Sequence, residues 1–132
     1  MVLPAPVALA LPFRPSSAAV ARAQLKDWLV EMGQPVDVIE DSRLVLSELV
    51  GNSVRHAKPL ADGTVLVSWN RNATGLVIAV TDGGATTVPH PVQAGTSALA
   101  GRGLSIVSAL SSHWWLEKTR SRTTVHALLS LT

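Results

Sequence analysis

The sequence predicts an α+β fold: a two-layer sandwich in which a mixed, mostly antiparallel sheet is covered on one face by three helices. Three observations point to it. Segments with strand and helix character follow the order strand, helix, helix, two strands, an aperiodic stretch, helix, two strands. The two strand pairs are each joined by a short turn, which suits antiparallel neighbours. The helical segments carry apolar stripes, not apolar surfaces all round, so each needs a layer to pack on. A length of 132 residues with 47% hydrophobic and 15% charged side chains suits one folded domain over 1–132.

The first strand is expected at Val7 to Phe13, ended by Arg14-Pro15. Ser16 or Ser17 offers an N-cap to a helix over Ala18 to Met32, whose apolar stripe comprises Val20, Leu25, Trp28, Leu29 and Met32. Gly33-Gln34-Pro35 stops it. A longer helix follows over Val36 to Ala57, ended by Lys58-Pro59. Thr64 to Asn70 alternates Val65, Val67 and Trp69 against Thr64, Leu66 and Ser68. Arg71 to Gly75 reads as the hairpin turn, and Leu76 to Thr81 as a strand buried on both faces. Asp82 to Ala100 has neither helical nor strand period and contains Gly83, Gly84, Pro89, Pro91 and Gly95. A stretch of that length inside a compact domain suits a lid or binding loop. Gly101-Arg102-Gly103 opens a third helix to Leu110, and His113 to Lys118 with Thr123 to Leu131 closes the chain as a hairpin. In the last strand Val125, Ala127 and Leu129 share one face. The Trp114-Trp115 pair suits either core or a partner surface.

Composition removes several function classes. With no cysteine there is no disulfide and no thiolate metal site, which fits a reducing cytoplasmic setting. The net charge is +2 with no run of Lys or Arg, so direct nucleic-acid contact is not expected. Met1 to Leu11 is apolar, but it lacks a basic flank and is interrupted by Pro4 and Pro6, which argues against a secretory leader. No apolar run reaches the roughly 18–20 residues of a membrane span.

Three short constellations carry candidate chemistry. In the long helix, Glu48, Asn52 and His56 recur at i, i+4 spacing and share a face. The carboxamide oxygen of Asn52 suits Mg²⁺, and the Glu48 carboxylate suits a base for an attacking hydroxyl. Taken alone, the same spacing also fits a solvated helix face. Second, in Val80-Thr81-Asp82-Gly83-Gly84 a carboxylate emerges from an apolar strand onto two glycines. A carboxylate there accepts from an exocyclic amine, and glycines let backbone approach a flat ligand, although an ordinary strand-ending turn looks the same. Third, Gly101, Gly103 and Leu104 lie at a helix start, where backbone N–H groups and the helix dipole favour phosphates. Arg102 suits either a charge-assisted contact or solvent. Neither a Walker A loop nor a G-x-G-x-x-G dinucleotide fingerprint occurs.

Together these segments resemble the N, G1 and G2 boxes of the GHKL ATPase superfamily: LVLSELVGNSVRHA, VTDGG and GRGLSIVSAL. The opening LPFRPSSAAVARAQL and the ending RTTVHALL are similar to its small anti-sigma factor serine/threonine kinases, the RsbW- and SpoIIAB-like branch. The resemblance implies a Bergerat-type ATP-binding fold with ATP and Mg²⁺ as cofactors and residues 85–100 as the ATP lid. It further implies Glu48 as general base, Asn52 as Mg²⁺ ligand and Asp82 at the adenine amino group with Gly84 beside it. Gly101, Arg102, Gly103 and Leu104 would surround the phosphates, and Thr124 would support the adenine through its hydroxyl or a water. Implied partners are a sigma factor and a STAS-type anti-anti-sigma antagonist, the latter as phosphoacceptor, and a homodimer is compatible with that branch. A non-catalytic ATP-binding module that sequesters a partner needs nearly the same residues. Departures from the family pattern are Ala85 and Thr86, where a further glycine after Gly84 is usual, and the lack of a dimerisation helix with a phosphoacceptor His before the N box.

Overall fold

A computed structural model describes residues 4–84 and 104–132. Its elements follow in the predicted order: β1 (Val7–Pro12), α1 (Ser17–Glu31), α2 (Val36–His56), β2 (Thr64–Asn72), β3 (Gly75–Asp82), α3 (Ser105–Leu110), β4 (His113–Lys118) and β5 (Thr123–Leu129). The five strands form one sheet in the spatial order β1-β2-β3-β5-β4, and all four pairings are antiparallel.

Period-two alternation decides what each strand presents to the helices. Leu9 pairs with Val67, Val67 with Val80, and Val80 with Val125, so one cross-strand row after another faces inward. Val65, Val67, Trp69, Leu76, Ile78, Val80, Val125, Ala127 and Leu129 meet Leu25, Leu29, Val45, Leu46, Leu49, Val50 and Val107 of the helices in one core. Burial of that continuous apolar layer is the main favourable contribution to folding, at about 25 cal/mol per Å². On the other face Leu66, Ser68, Val77, Ala79, His126 and Leu128 remain half-exposed, with no helix over them among the described residues. β3 is therefore one-sided rather than wrapped by helices on both faces. Its apolar outer positions are screened only by neighbouring strands.

Local chemistry explains the boundaries. Gly33, at φ +75°, closes α1 in a Schellman arrangement, its N–H bonding to the Val30 carbonyl at 2.9 Å while the Gln34 N–H reaches Leu29 at 3.1 Å. At the other end of α1, Ser17 Oγ donates to the Pro12 carbonyl at 2.5 Å and tethers the helix to β1, and neither Ser16 nor Ser17 caps it. The β2–β3 turn is tighter than the Arg71–Gly75 expectation. Asn72 Oδ1 accepts from Thr74 N, Thr74 Oγ1 and Gly75 N at 2.8–3.0 Å, so strand pairing continues to Asn72 and Gly75. Adjacent tryptophans of β4 point to opposite faces. Trp114 packs against the core and donates to Ser108 Oγ, whereas Trp115 stacks between His113 and His126 on the outer face. No described helix is long and apolar enough to cross a membrane.

Candidate functional site

The site is built where the C-terminal half of α2 meets the end of β3. Most buried positions of α2 are apolar, but Asn52 and Ser53, one helical turn past Glu48, are also buried, at 8% and 4% exposure. Ser53 faces the sheet and donates its hydroxyl to Asp82 Oδ2 at 2.5 Å. Asp82, 5% exposed, also accepts from the Gly84 N–H on Oδ1 at 2.8 Å. Each carboxylate oxygen thus holds a donor, which compensates for desolvating the charge and fixes the orientation of the group.

The backbone ties the same two elements together. After α2 the Lys58 N–H bonds to the Gly84 carbonyl at 3.0 Å, and the Gly83 N–H bonds to the Lys58 carbonyl at 2.8 Å. A side chain at Gly83 would bring its Cβ to 2.2 Å from the Pro59 carbonyl oxygen. Gly83 is therefore required by the close passage of the α2–β2 connection rather than by a ligand. Gly84 differs: its φ of +96° needs glycine, and among the described residues the only neighbour within 4 Å of an added Cβ is Thr123 Oγ1 at 3.7 Å.

Asn52 Oδ1 is buried and has no hydrogen-bond partner among the described residues. A buried carbonyl oxygen without a partner costs about 1–3 kcal/mol, and this one is open to a ligand. It is the donor type that a hard cation such as Mg²⁺ accepts. Glu48 is half-buried and makes no hydrogen bond or ion pair among the described residues, leaving its carboxylate available. His56, one turn beyond Asn52, already has an interaction.

The fold thus brings Glu48, Asn52, Asp82 and Gly84 to one edge of the helix–sheet junction. Thr124 is not among them. In register it pairs with Thr81, and the two hydroxyls lie 2.8 Å apart on the outer face of the sheet, opposite to Asp82. Thr123 is the residue in register with Asp82 on the helix side, beside Gly84. The signal for it was present in the sequence. If Val125, Ala127 and Leu129 point inward, then Thr123 does too and Thr124 points out. Leu104 is 1% exposed and packs in the core as the residue that leads into α3. Gly101, Arg102, Gly103 and the expected lid at 85–100 lie outside the described residues.

Comparison with known proteins agrees with this fold. The family described as the histidine kinase-like ATPase domain matches residues 11–128. A serine-protein kinase RsbW from Listeria innocua is 32% identical over 79 residues, which is 59% of this chain and 50% of that protein. The chain therefore aligns with about half the length of this curated relative. Among solved structures, the RsbU and RsbW domains of a Mycobacterium tuberculosis protein superpose with a TM-score of 0.74 at 23% identity, covering 97% of this chain and 33% of that one. A Pseudomonas aeruginosa SiaB–SiaC complex gives a TM-score of 0.64 at 13% identity, covering 93% and 89%. At those identities the two structures speak for a shared fold.

Proposed function

The chain belongs to the histidine kinase-like ATPase domain family, and on that premise we propose that it binds Mg²⁺·ATP at the α2–β3 junction and phosphorylates a serine or threonine of a regulatory partner protein. The observation that carries this reading is Asn52 Oδ1, a buried oxygen with no partner among the described residues, one turn from the Glu48 carboxylate, which is likewise unpaired there, and next to the Ser53–Asp82 pair.

In this reading Asp82, held by Ser53 and the Gly84 N–H, receives the adenine amino group, and Thr123 lines the same side of the base. Asn52 Oδ1 would hold the cation, which when bound would supply charge neutralisation at the phosphates. Glu48 accepts the proton of the acceptor hydroxyl as that oxygen bonds to the γ-phosphorus and the bond to the β-phosphate oxygen breaks, releasing ADP. Phosphoryl transfer of this kind relies on positioning and charge neutralisation more than on covalent chemistry. Gly101, Arg102 and Gly103 are assigned to the phosphates. The partners are a sigma factor and a STAS-type antagonist that carries the acceptor hydroxyl, with a homodimer as the working state. The likeness to the RsbW serine-protein kinase supports this assignment.

Isothermal titration with ATP, with and without Mg²⁺, tests it on wild type and Asn52→Ala. Wild type should bind more tightly with Mg²⁺, and the variant should lose that dependence while staying folded. Absence of any ATP binding by wild type would remove the proposal. Glu48→Ala should hold ATP within several-fold of wild type yet transfer no phosphate to a co-encoded antagonist. If wild type itself binds ATP but transfers none, the chain is a nucleotide-responsive binding module.

A further inference from the structure

The sheet ends in two edge strands, β1 and β4, and they differ in how they are protected. An open edge pairs readily with another chain unless something blunts it. β1 follows Pro4 and Pro6 and closes on Pro12, and proline has no N–H to offer a new neighbour. β4 contains no proline, and among the described residues no strand lies along its outer edge.

Ladder parity fixes which groups that edge presents. The Thr119 N–H bonds to the Arg122 carbonyl at 2.9 Å, so these two residues form a hydrogen-bonded pair. Such pairs alternate along an antiparallel ladder, which makes Glu117 with Thr124 and Trp115 with His126 hydrogen-bonded pairs as well. The N–H and C=O groups of Trp114 and Leu116 therefore point away from β5, toward the open edge. A second, antiparallel β4 can meet them only in registers that set even-numbered residues opposite even-numbered ones.

One such register, centred on Trp115, matches every central pair. Trp114 stands opposite Leu116 of the second copy, and both already pack against the apolar core, so the inner row continues across the junction. Trp115 meets its own counterpart on the outer face. His113 stands opposite Glu117, twice by symmetry. Glu117 Oε1 is 3.1 Å from His126 Nε2, while Oε2 has no partner among the described residues and can accept an imidazole N–H from the second copy's His113. A centre on Leu116 instead sets Trp115 opposite Glu117 and Trp114 opposite Lys118, and a centre on Trp114 leaves Glu117 beyond the paired strand.

We infer that the chain pairs with a second copy of itself through β4, in the register centred on Trp115. This rests on the homodimer already proposed and names its surface; it does not require a nucleotide. The two-fold axis runs perpendicular to the sheet, so ten strands become continuous and the helices of both copies cover the same face. Strand direction reverses across the axis, which sends the two α2–β3 junctions to opposite ends of the joined sheet. So short a junction forms a weak, exchanging dimer.

Sedimentation of the full chain from micromolar to submillimolar concentration tests this on wild type, His113→Glu, Glu117→Lys and the double variant. Both residues are exposed, so the substitutions leave the core intact. Wild type should dimerise as concentration rises. Each single variant sets like groups opposite each other at two places and should weaken the dimer by about tenfold. The double variant restores opposite charges and should recover it. An equimolar mixture of the two single variants should form a heterodimer tighter than either homodimer, because each cross pair is then complementary. In wild type, hydrogen exchange of the Trp114 and Leu116 amides should slow with concentration, while that of Trp115 stays constant. A wild type that remains monomeric throughout removes both the homodimer and this interface, and leaves the nucleotide reading to its own titration. A wild-type dimer that neither single variant weakens, or whose Trp114 and Leu116 amides gain no protection, overturns the β4 assignment alone.

Discussion

The two halves of α2 each bury a serine, and the two serines differ in what they do. Ser42, in the N-terminal half, is 0% exposed and its hydroxyl has no partner among the described residues. It borders a small recess shared with Asp41, Ser112 and Ser130, while the carboxylates nearby stand in water and Glu40 makes only a surface pair with Arg43 at 3.2 Å. Ser53, in the C-terminal half, is equally buried but donates to a buried carboxylate. In the first half, polar groups are solvated or merely tolerated. In the second, Asn52 and Ser53 are desolvated; Ser53 is partnered with Asp82, and Asn52 Oδ1 has no partner among the described residues. The contrast teaches that burial of a polar side chain marks a site only where its partners converge from another element.

Substitutions sharpen or break that contrast. The largest effect belongs to Ser53→Ala, which leaves the Asp82 carboxylate buried with one donor fewer. It should cost about 1–3 kcal/mol in urea unfolding and weaken ATP binding as well. An unchanged midpoint would mean that the pair contributes nothing. Next come the adjacent threonines of β5. Thr123→Val should weaken nucleotide binding by several-fold in titration, whereas Thr124→Val, which removes only the outer hydroxyl contact with Thr81, should leave it unchanged. The reverse ranking would place the nucleotide on the other face of the sheet.

Ser42→Ala should have a smaller effect of opposite sign to Ser53→Ala. Removing an unpartnered hydroxyl should leave stability unchanged or raise it by less than about 1 kcal/mol in the same assay. A loss like that of Ser53→Ala would show that Ser42 has a partner after all. The smallest effect concerns Asp62, a fully exposed carboxylate in the turn before β2. It accepts from Thr64 Oγ1 at 2.6 Å and from Thr64 N at 3.2 Å. The side-chain bond from Thr64 is the main cause holding its pKa below the ordinary carboxylate value. A depressed folded pKa means that the group stabilises the fold above its unfolded pKa and loses that contribution as pH falls through the folded one. Melting curves of wild type and Asp62→Asn should differ slightly at neutral pH and converge in acid, below pH 4 or so. A gap that widens in acid would reverse the sign.

Much of this was legible in the residues themselves. The eight elements lie where helical and strand periods place them, because those periods are properties of single elements and need no partner to be read. The Glu48-Asn52 spacing and the Asp82 turn were visible for the same reason. Similarity of the last strand points to Thr124, whereas the alternation through Val125 and Ala127 points to Thr123. Other features left no mark in the local pattern. Nothing in Val80-Thr81-Asp82-Gly83-Gly84 says that one glycine accommodates the Pro59 carbonyl while the other is free for its own conformation. Trp114 and Trp115 read as a pair, yet the pleat sends them to opposite faces.

By itself, then, the sequence determined the fold class, the order and extent of the elements, the apolar face of each, and the short list of polar residues able to meet phosphate chemistry. Only the tertiary structure decided which of those residues lie close together, why Gly83 must lack a side chain, and which buried serine has a partner. The physical reason is range. Periodicity and propensity act over a few residues along the chain. Hydrogen-bond satisfaction and steric room depend on strand register and on segments brought together across 29 residues, from Ser53 to Asp82.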